Sequence, residues 1–260
     1  MLIGAMNHPG SDVMAEIQWM SAMRLDFLDL TLEPPRAASW QVDPLRLRAA
    51  LDRHGLGVVG HTAYYLPIAN PFEEIRKVAV DECRRCLDLF SQAGARWMNI
   101  HPDNHSPLHP PKFFFDKNLQ SLEELLAHGR QVGVGIMVEN IPGNDFNSAA
   151  DLGILLDTLP ELGLHLDIGH CNLSPIPNNA ESILKAYGRR IRHVHLHDNK
   201  GGRDDLHLPL GAGNIDLPRV IRALRGCGYD GTVTLEVFSP DRHYLEYSRD
   251  LLRRMWETVQ

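Results

Sequence analysis

Apolar and polar positions follow two rhythms along this chain. Short apolar or alternating runs fall at Leu2–Ala5, Leu25–Leu30, Gly57–His61, Trp97–His101, Gly135–Glu139, Leu164–Asp167, Ile191–His195 and Val233–Val237. Runs of this length read as β-strands. Between them, longer stretches repeat apolar residues every three or four positions, which puts those residues on one face of a helix. These are Asp12–Met23, Pro44–His54, Phe72–Ala93, Pro111–Gln131, Ser148–Leu159, Ala180–Tyr187, Leu217–Arg225 and Asp241–Thr258. Asp43 before Pro44 and Asp216 before Leu217 are expected N-caps. Gly94, Gly133 and Gly228 stand where helices should stop.

Eight β/α repeats in 260 residues have the length and rhythm of a (β/α)8 TIM barrel, an α/β fold. We expect one such domain over residues 1–260. A doubly wound sheet is the alternative, but it usually carries a Gly-rich phosphate loop after its first strand. Here that strand runs into Met6-Asn7-His8-Pro9-Gly10, which is not such a loop. No linker or low-complexity tract interrupts the chain.

Composition changes this picture little. With 43% hydrophobic and 23% charged residues, the chain is of ordinary globular type. The net charge of -7 counts against a generic nucleic-acid binder. Cys83 and Cys86 form a Cys-x-x-Cys, but inside a helical run. They read as two partly buried helix residues rather than a redox or zinc pair. Nothing suggests a disulfide scaffold, a signal peptide or a membrane span, so the expected location is the cytoplasm.

Chemistry enters at the strand ends. His193, His195 and His197 alternate with Val194 and Leu196, so the three imidazoles share one face. The third to eighth strands end at His61, His101, Glu139, Asp167, His195 and Glu236. In a barrel these ends converge on the mouth where active sites are built. Carboxylates gathered there repel one another, by roughly 4 kcal/mol per pair at about 4 Å and an effective dielectric near 20. With His nitrogens interleaved, a bound divalent metal is the simplest relief. Asp167-Ile-Gly-His170 and Asp205-Leu-His207 add three more candidates. Nine ligands exceed the needs of one ion, which makes two or three plausible; the cofactor expected is zinc or manganese, one to three ions in all. One layer deeper, Asn99, His165, His193 and Thr234 are expected to orient the ligands. His197 is read as a loop residue.

Taken together, His61-Thr-Ala-Tyr64, Asn99-Ile-His101-Pro102, Val138-Glu139-Asn140, Leu166-Asp167-Ile-Gly-His170, His195-Leu-His-Asp198, Asp205-Leu-His207-Leu-Pro-Leu-Gly211-Ala-Gly213 and Leu235-Glu236 resemble the xylose-isomerase-like TIM-barrel superfamily. That group holds sugar isomerases and epimerases, and also the endonuclease IV family (AP endonuclease family 2). The resemblance implies a single-metal epimerase-type site at Glu139, Asp167, His195 and Glu236. It equally implies a three-metal endonuclease-type site that adds His61, His101, His170, Asp205 and His207.

Under the isomerase or epimerase reading, Glu139 and Glu236 flank a sugar or sugar phosphate. One removes the proton next to a carbonyl and the other returns it. Lys200 and Arg203 would hold a phosphate or carboxylate, with Tyr64 at the mouth. The alternative is a multi-zinc phosphodiesterase acting on abasic DNA, in which Glu139 orients the attacking hydroxide and Tyr64 and Arg36 touch the DNA. Few Lys or Arg cluster near the strand ends, which ranks it second. A non-catalytic metal- or ligand-binding barrel is a third reading. DNA is a partner only under the alternative, no membrane partner is expected, and a homo-oligomer is compatible with the sequence.

Overall fold

The computed structural model describes residues 1–105 and 108–258. Its strands are β1 (Leu2–Met6), β2 (Phe27–Leu32), β3 (Gly57–Thr62), β4 (Trp97–Ile100), β5 (Gly135–Glu139), β6 (Gly163–Asp167), β7 (Ile191–Leu196) and β8 (Thr232–Leu235). They form a closed barrel in sequence order, and every recorded pairing between strands is parallel. Between and after them run α1 (Val13–Ala22), α2 (Pro44–His54), α3 (Glu73–Ala93), α4 (Pro111–Val132), α5 (Ala149–Thr158), α6 (Ala180–Tyr187), α7 (Leu217–Gly226) and α8 (His243–Thr258). The molecule is therefore the TIM barrel that the repeat rhythm predicts. No helix among the described residues is long and apolar enough to cross a membrane.

The caps act as the sequence suggests. Asp43 accepts from the Leu45 and Arg46 amides at 2.9 and 3.1 Å, and Asp216 accepts from Arg219 at 3.1 Å. Gly94 and Gly133 close α3 and α4 in the left-handed region. Several boundaries differ from expectation. β2 begins two residues late, because the Leu25 amide still donates to Met20 at the end of α1. β4 and β8 stop one residue short of His101 and Glu236, which open the following loops. α7 ends at Gly226, so Gly228 lies two residues past its end.

Two compact units are described in turn. The first comprises Gly4–Glu139 and Gly153–Gly163. Within it all six residues of β2 are buried, as expected for a parallel strand covered on both faces. Phe27, Val59 and Met137 pack together against Trp97. Outside the strands, Arg76 of α3 is 1% exposed. Its guanidinium donates to Glu73 of its own helix and to Ser121 and Glu124 of α4, at 2.7 to 2.9 Å. Ser121 in turn donates to the Ile68 carbonyl at 2.6 Å. A buried guanidinium tolerates this place because carboxylates and a hydroxyl satisfy it.

The second unit comprises Met1–Ile3, Asn140–Leu152 and the chain from Leu164 on. In register, His165 pairs His193, Asp167 pairs His195, His193 pairs Thr232 and His195 pairs Thr234. The His193 ring bridges the hydroxyls of Thr232 (2.7 Å) and Thr234 (3.0 Å). Of the deeper polar layer expected there, His193 and Thr234 are bonded to each other. After β7, the chain folds back on itself through paired Asp198 and Leu208. The Asp198 carboxylate is buried and accepts four backbone amides. Asn199 and Ile215 bind one oxygen at 2.9 and 3.2 Å, and Gly211 and Gly213 bind the other at 2.9 Å each. Asp198 therefore organises the loop that carries Asp205 and His207.

Candidate metal centre

In the first unit, β3, β4 and β5 bring His61, His101 and Glu139 together, with one donor atom from each within 4.8 Å of the others. His101 Nε2 lies 3.1 Å from Glu139 Oε2, and His61 Nε2 lies 3.8 Å from the same oxygen. The two imidazoles stack at 5.2 Å between centroids. Asn99, which pairs His61 in register, places its amide nitrogen 2.5 Å from Glu139 and 3.0 Å from His61 Nε2. The positive end of an amide dipole thus sits where a cation would draw the same donors. Tyr64 is 62% exposed and turns its ring edge-on to His101, with centroids 6.3 Å apart.

The second unit gathers Asp167, His170, His195, Asp205, His207 and Glu236. His195 Nδ1 lies 3.2 Å from Glu236 and 3.8 Å from Asp167. Asp167 Oδ1 accepts the His170 amide at 2.7 Å, and the Asp167 backbone is tied to Asn140 in both directions. Asp205 Oδ2 lies 3.1 Å from both His170 Nε2 and His207 Nε2.

The arrangement around Asp205 tests directly whether these residues fit a cation. His170 Nδ1 donates to the Asn140 carbonyl at 2.8 Å, and His207 Nδ1 donates to the Glu236 carbonyl at 3.2 Å. Carbonyls only accept, so the ring proton of each neutral imidazole sits on Nδ1. Each Nε2 then aims a lone pair at a carboxylate oxygen. That geometry is repulsive unless protons or a metal ion intervene. Without a metal, the protein answers with protons. Burial would raise the Asp205 carboxyl, but bonds from His170 and His207 outweigh it and hold the carboxyl well below its usual range. Burial would lower His207, but Asp205 and Glu236 pull it above the ordinary histidine value. A divalent cation accepts the same lone pairs with both imidazoles neutral. The donor set fits one.

Lys200 and Arg203 are exposed on the loop after β7, as is Arg36 after β2, and the structure gives none of them a contact with the ligand candidates. Two residues of these clusters escaped sequence reasoning. Asp29 of β2 is buried, with Oδ1 3.7 Å from His61 Nδ1. Its signal was the alternation Leu28-Asp29-Leu30-Thr31, an acid inside a buried strand. His197, read as a loop residue, is fully buried and falls in two metal-competent groups, with Asp167 and His170 and with His207 and Glu236.

Fold and site together define a parallel α/β barrel whose strand ends carry imidazole–carboxylate clusters. The chain belongs to the xylose isomerase-like TIM barrel family, whose model matches residues 17–255. It is 32% identical over 197 residues to protein MJ1311 of Methanocaldococcus jannaschii, covering 71% of this chain and 66% of that one, just under two thirds. It is 22% identical to fructoselysine 3-epimerase of Escherichia coli O157:H7, over 74% of this chain and 72% of the other. It is 25% identical to the probable endonuclease 4 of Aquifex aeolicus, over 84% and 82%. Among solved structures it is similar to a D-tagatose 3-epimerase-like protein. The TM-score is 0.89 and the identity 25%, covering 100% of this chain and 98% of that one.

Proposed function

We propose that this protein is a divalent-metal-dependent isomerase or epimerase of a sugar or sugar phosphate, working in the cytoplasm. The observation that carries the reading is the pair of strand-end carboxylates, each held against imidazole: Glu139 by His101, and Glu236 by His195. The ligands would be Glu139, Asp167, His195 and Glu236. Zinc or manganese bound there would supply positive charge that polarises the substrate carbonyl and acidifies the adjacent C–H. Glu139 and Glu236 handle the proton, one removing it from that carbon and the other returning it. Asn140 locks the Asp167 backbone, and His193 packs beneath His195 with centroids 5.3 Å apart. Both reduce the freedom of the groups that must align. Tyr64 lines the entrance, and Lys200 and Arg203 are proposed to meet a substrate phosphate.

One observation favours a second reading. All nine residues of the endonuclease-type ligand set are present, and the Aquifex aeolicus relative is a probable endonuclease 4. The test is a side-by-side assay of metal-restored protein on a ketose and ketose-phosphate panel in deuterated water and on abasic-site DNA. Deuterium should enter the substrate next to its carbonyl. Glu236→Gln should fold normally and lose about 100-fold or more of that exchange. Cleavage of abasic DNA at catalytic enzyme levels, with no exchange into any ketose, would reverse the assignment.

A further inference from the structure

His197 has no part in the epimerase-type or endonuclease-type ligand set, yet its surroundings are those of a ligand. The ring is fully buried. Neither ring nitrogen has a hydrogen-bond partner among the described residues, a state native folds rarely leave unexplained. Its Nε2 lies 3.4 Å from Asp167 Oδ1 and 3.6 Å from Asp205 Oδ1, too far for good hydrogen bonds. Donors that share a tetrahedral zinc at about 2.0–2.2 Å stand roughly 3.3–3.6 Å from one another, and the separation of His197 Nε2 from Asp205 Oδ1 falls in that range. The ring is fixed by shape instead. It stacks on His207 at 4.2 Å and 27°, and meets His170 edge-on at 6.0 Å and 76°. Gly169 makes the room, since a Cβ there would overlap the His197 ring.

Resting on the reading that this cluster holds divalent metal, we infer that His197 is a further ligand of the ion held by His170, Asp205 and His207. Three protein donors leave a coordination position open for chemistry, whereas four close it. With His197 the set becomes three imidazoles and one carboxylate, nitrogen-rich and suited to zinc over manganese or magnesium. That zinc is then structural. It ties the loop after β6 to the loop after β7, and takes no part in the reaction.

The test follows zinc release to a chromophoric chelator, together with the visible spectrum of the cobalt-substituted protein. Wild type should hold one slowly released zinc and show a tetrahedral cobalt spectrum. His197→Phe, which keeps a ring of similar shape, should release that ion roughly tenfold faster or more and lose the spectrum. Glu139→Gln, at a residue outside these four, should retain both features. Release and spectrum unchanged in His197→Phe overturn the inference and leave the function reading intact. A wild-type protein that takes up no zinc or cobalt at all overturns the metal reading itself. Gly169→Ala displaces the ring without removing it, so it must reproduce the fast release if His197→Phe fails to fold.

Discussion

Asp198→Asn should be among the most damaging isosteric changes available in this chain. The carboxylate is 1% exposed and receives four amides, two on each oxygen. Asparagine preserves the shape but turns one oxygen into an NH2 group. Whichever way the amide turns, two backbone N–H groups then face a donor. They are either those of Gly211 and Gly213 or those of Asn199 and Ile215. Hydrogen bonds to a charged group are worth about 1.5–3 kcal/mol each, so losing two costs roughly 3–6 kcal/mol. Against a typical stability of about 5–15 kcal/mol this is a large fraction. Urea unfolding followed by circular dichroism should show a lower midpoint at unchanged slope. Hydrogen exchange should show the freed pair of amides deprotected ahead of the rest. Zinc affinity should fall as well, because Asp205 and His207 lie between Asp198 and Gly211 on the same loop. A destabilisation below about 1 kcal/mol would mean that the amides find other acceptors, and the clamp argument would fail.

Two further expectations concern protons. Hydrogen bonds from Arg76 and then Lys117 lower Glu73 from 4.5 to about 2 in the folded chain. Since the folded value lies below the unfolded one, this contribution is present above about 4.5 and fades as pH falls toward 2. Melting temperatures of wild type and Glu73→Gln should converge between about pH 5 and pH 2.5, and parallel curves would refute the assignment. Burial pushes the Cys83 thiol up to about 12 and raises Cys86 and Cys171 well above the usual thiol value. Native protein treated with iodoacetamide near pH 8 should therefore react first at the less buried Cys227. Early labelling of Cys83 or Cys86, read by mass spectrometry, would contradict the packing of α3.

The barrel was legible because eight strand runs and eight helical runs differ in period, and period survives small errors of boundary. The strand-end ligands were legible for the same reason, since His61, Glu139, Asp167 and His195 each occupy a terminal or penultimate strand position. Asp29 was passed over because the expected second strand, Leu25–Leu30, stopped two residues short of the end of β2 at Leu32, so its strand-end polar residues were not sought. His197 was misjudged because the strand assignment stopped at His195, while β7 continues to Leu196. One more step of alternation carries an inward-facing side chain onto His197. Asp198 has a ligand's residue type and follows the row of histidines. Only tertiary structure shows its carboxylate saturated by backbone amides. No local pattern announces that, because the donors come from positions 199 to 215.

The threonines that bracket His193 also decide which barrel forms. A strand displaced by one residue turns its imidazoles outward and is rejected at once. A slip of two residues is more dangerous for β7, because His193, His195 and His197 repeat at that spacing and imidazoles would still face inward, although Arg192 or Asp198 would then fall on the apolar face. On the inward face, the hydroxyls help distinguish the positions. Thr232 and Thr234 hold the His193 ring between them, and a two-residue slip would deliver the next imidazole of the series into that bracket. His195, already paired with Glu236, would have to abandon its carboxylate to sit there. The polar interior thus acts as a vernier, selecting one register for a strand whose inward histidines repeat at every second position.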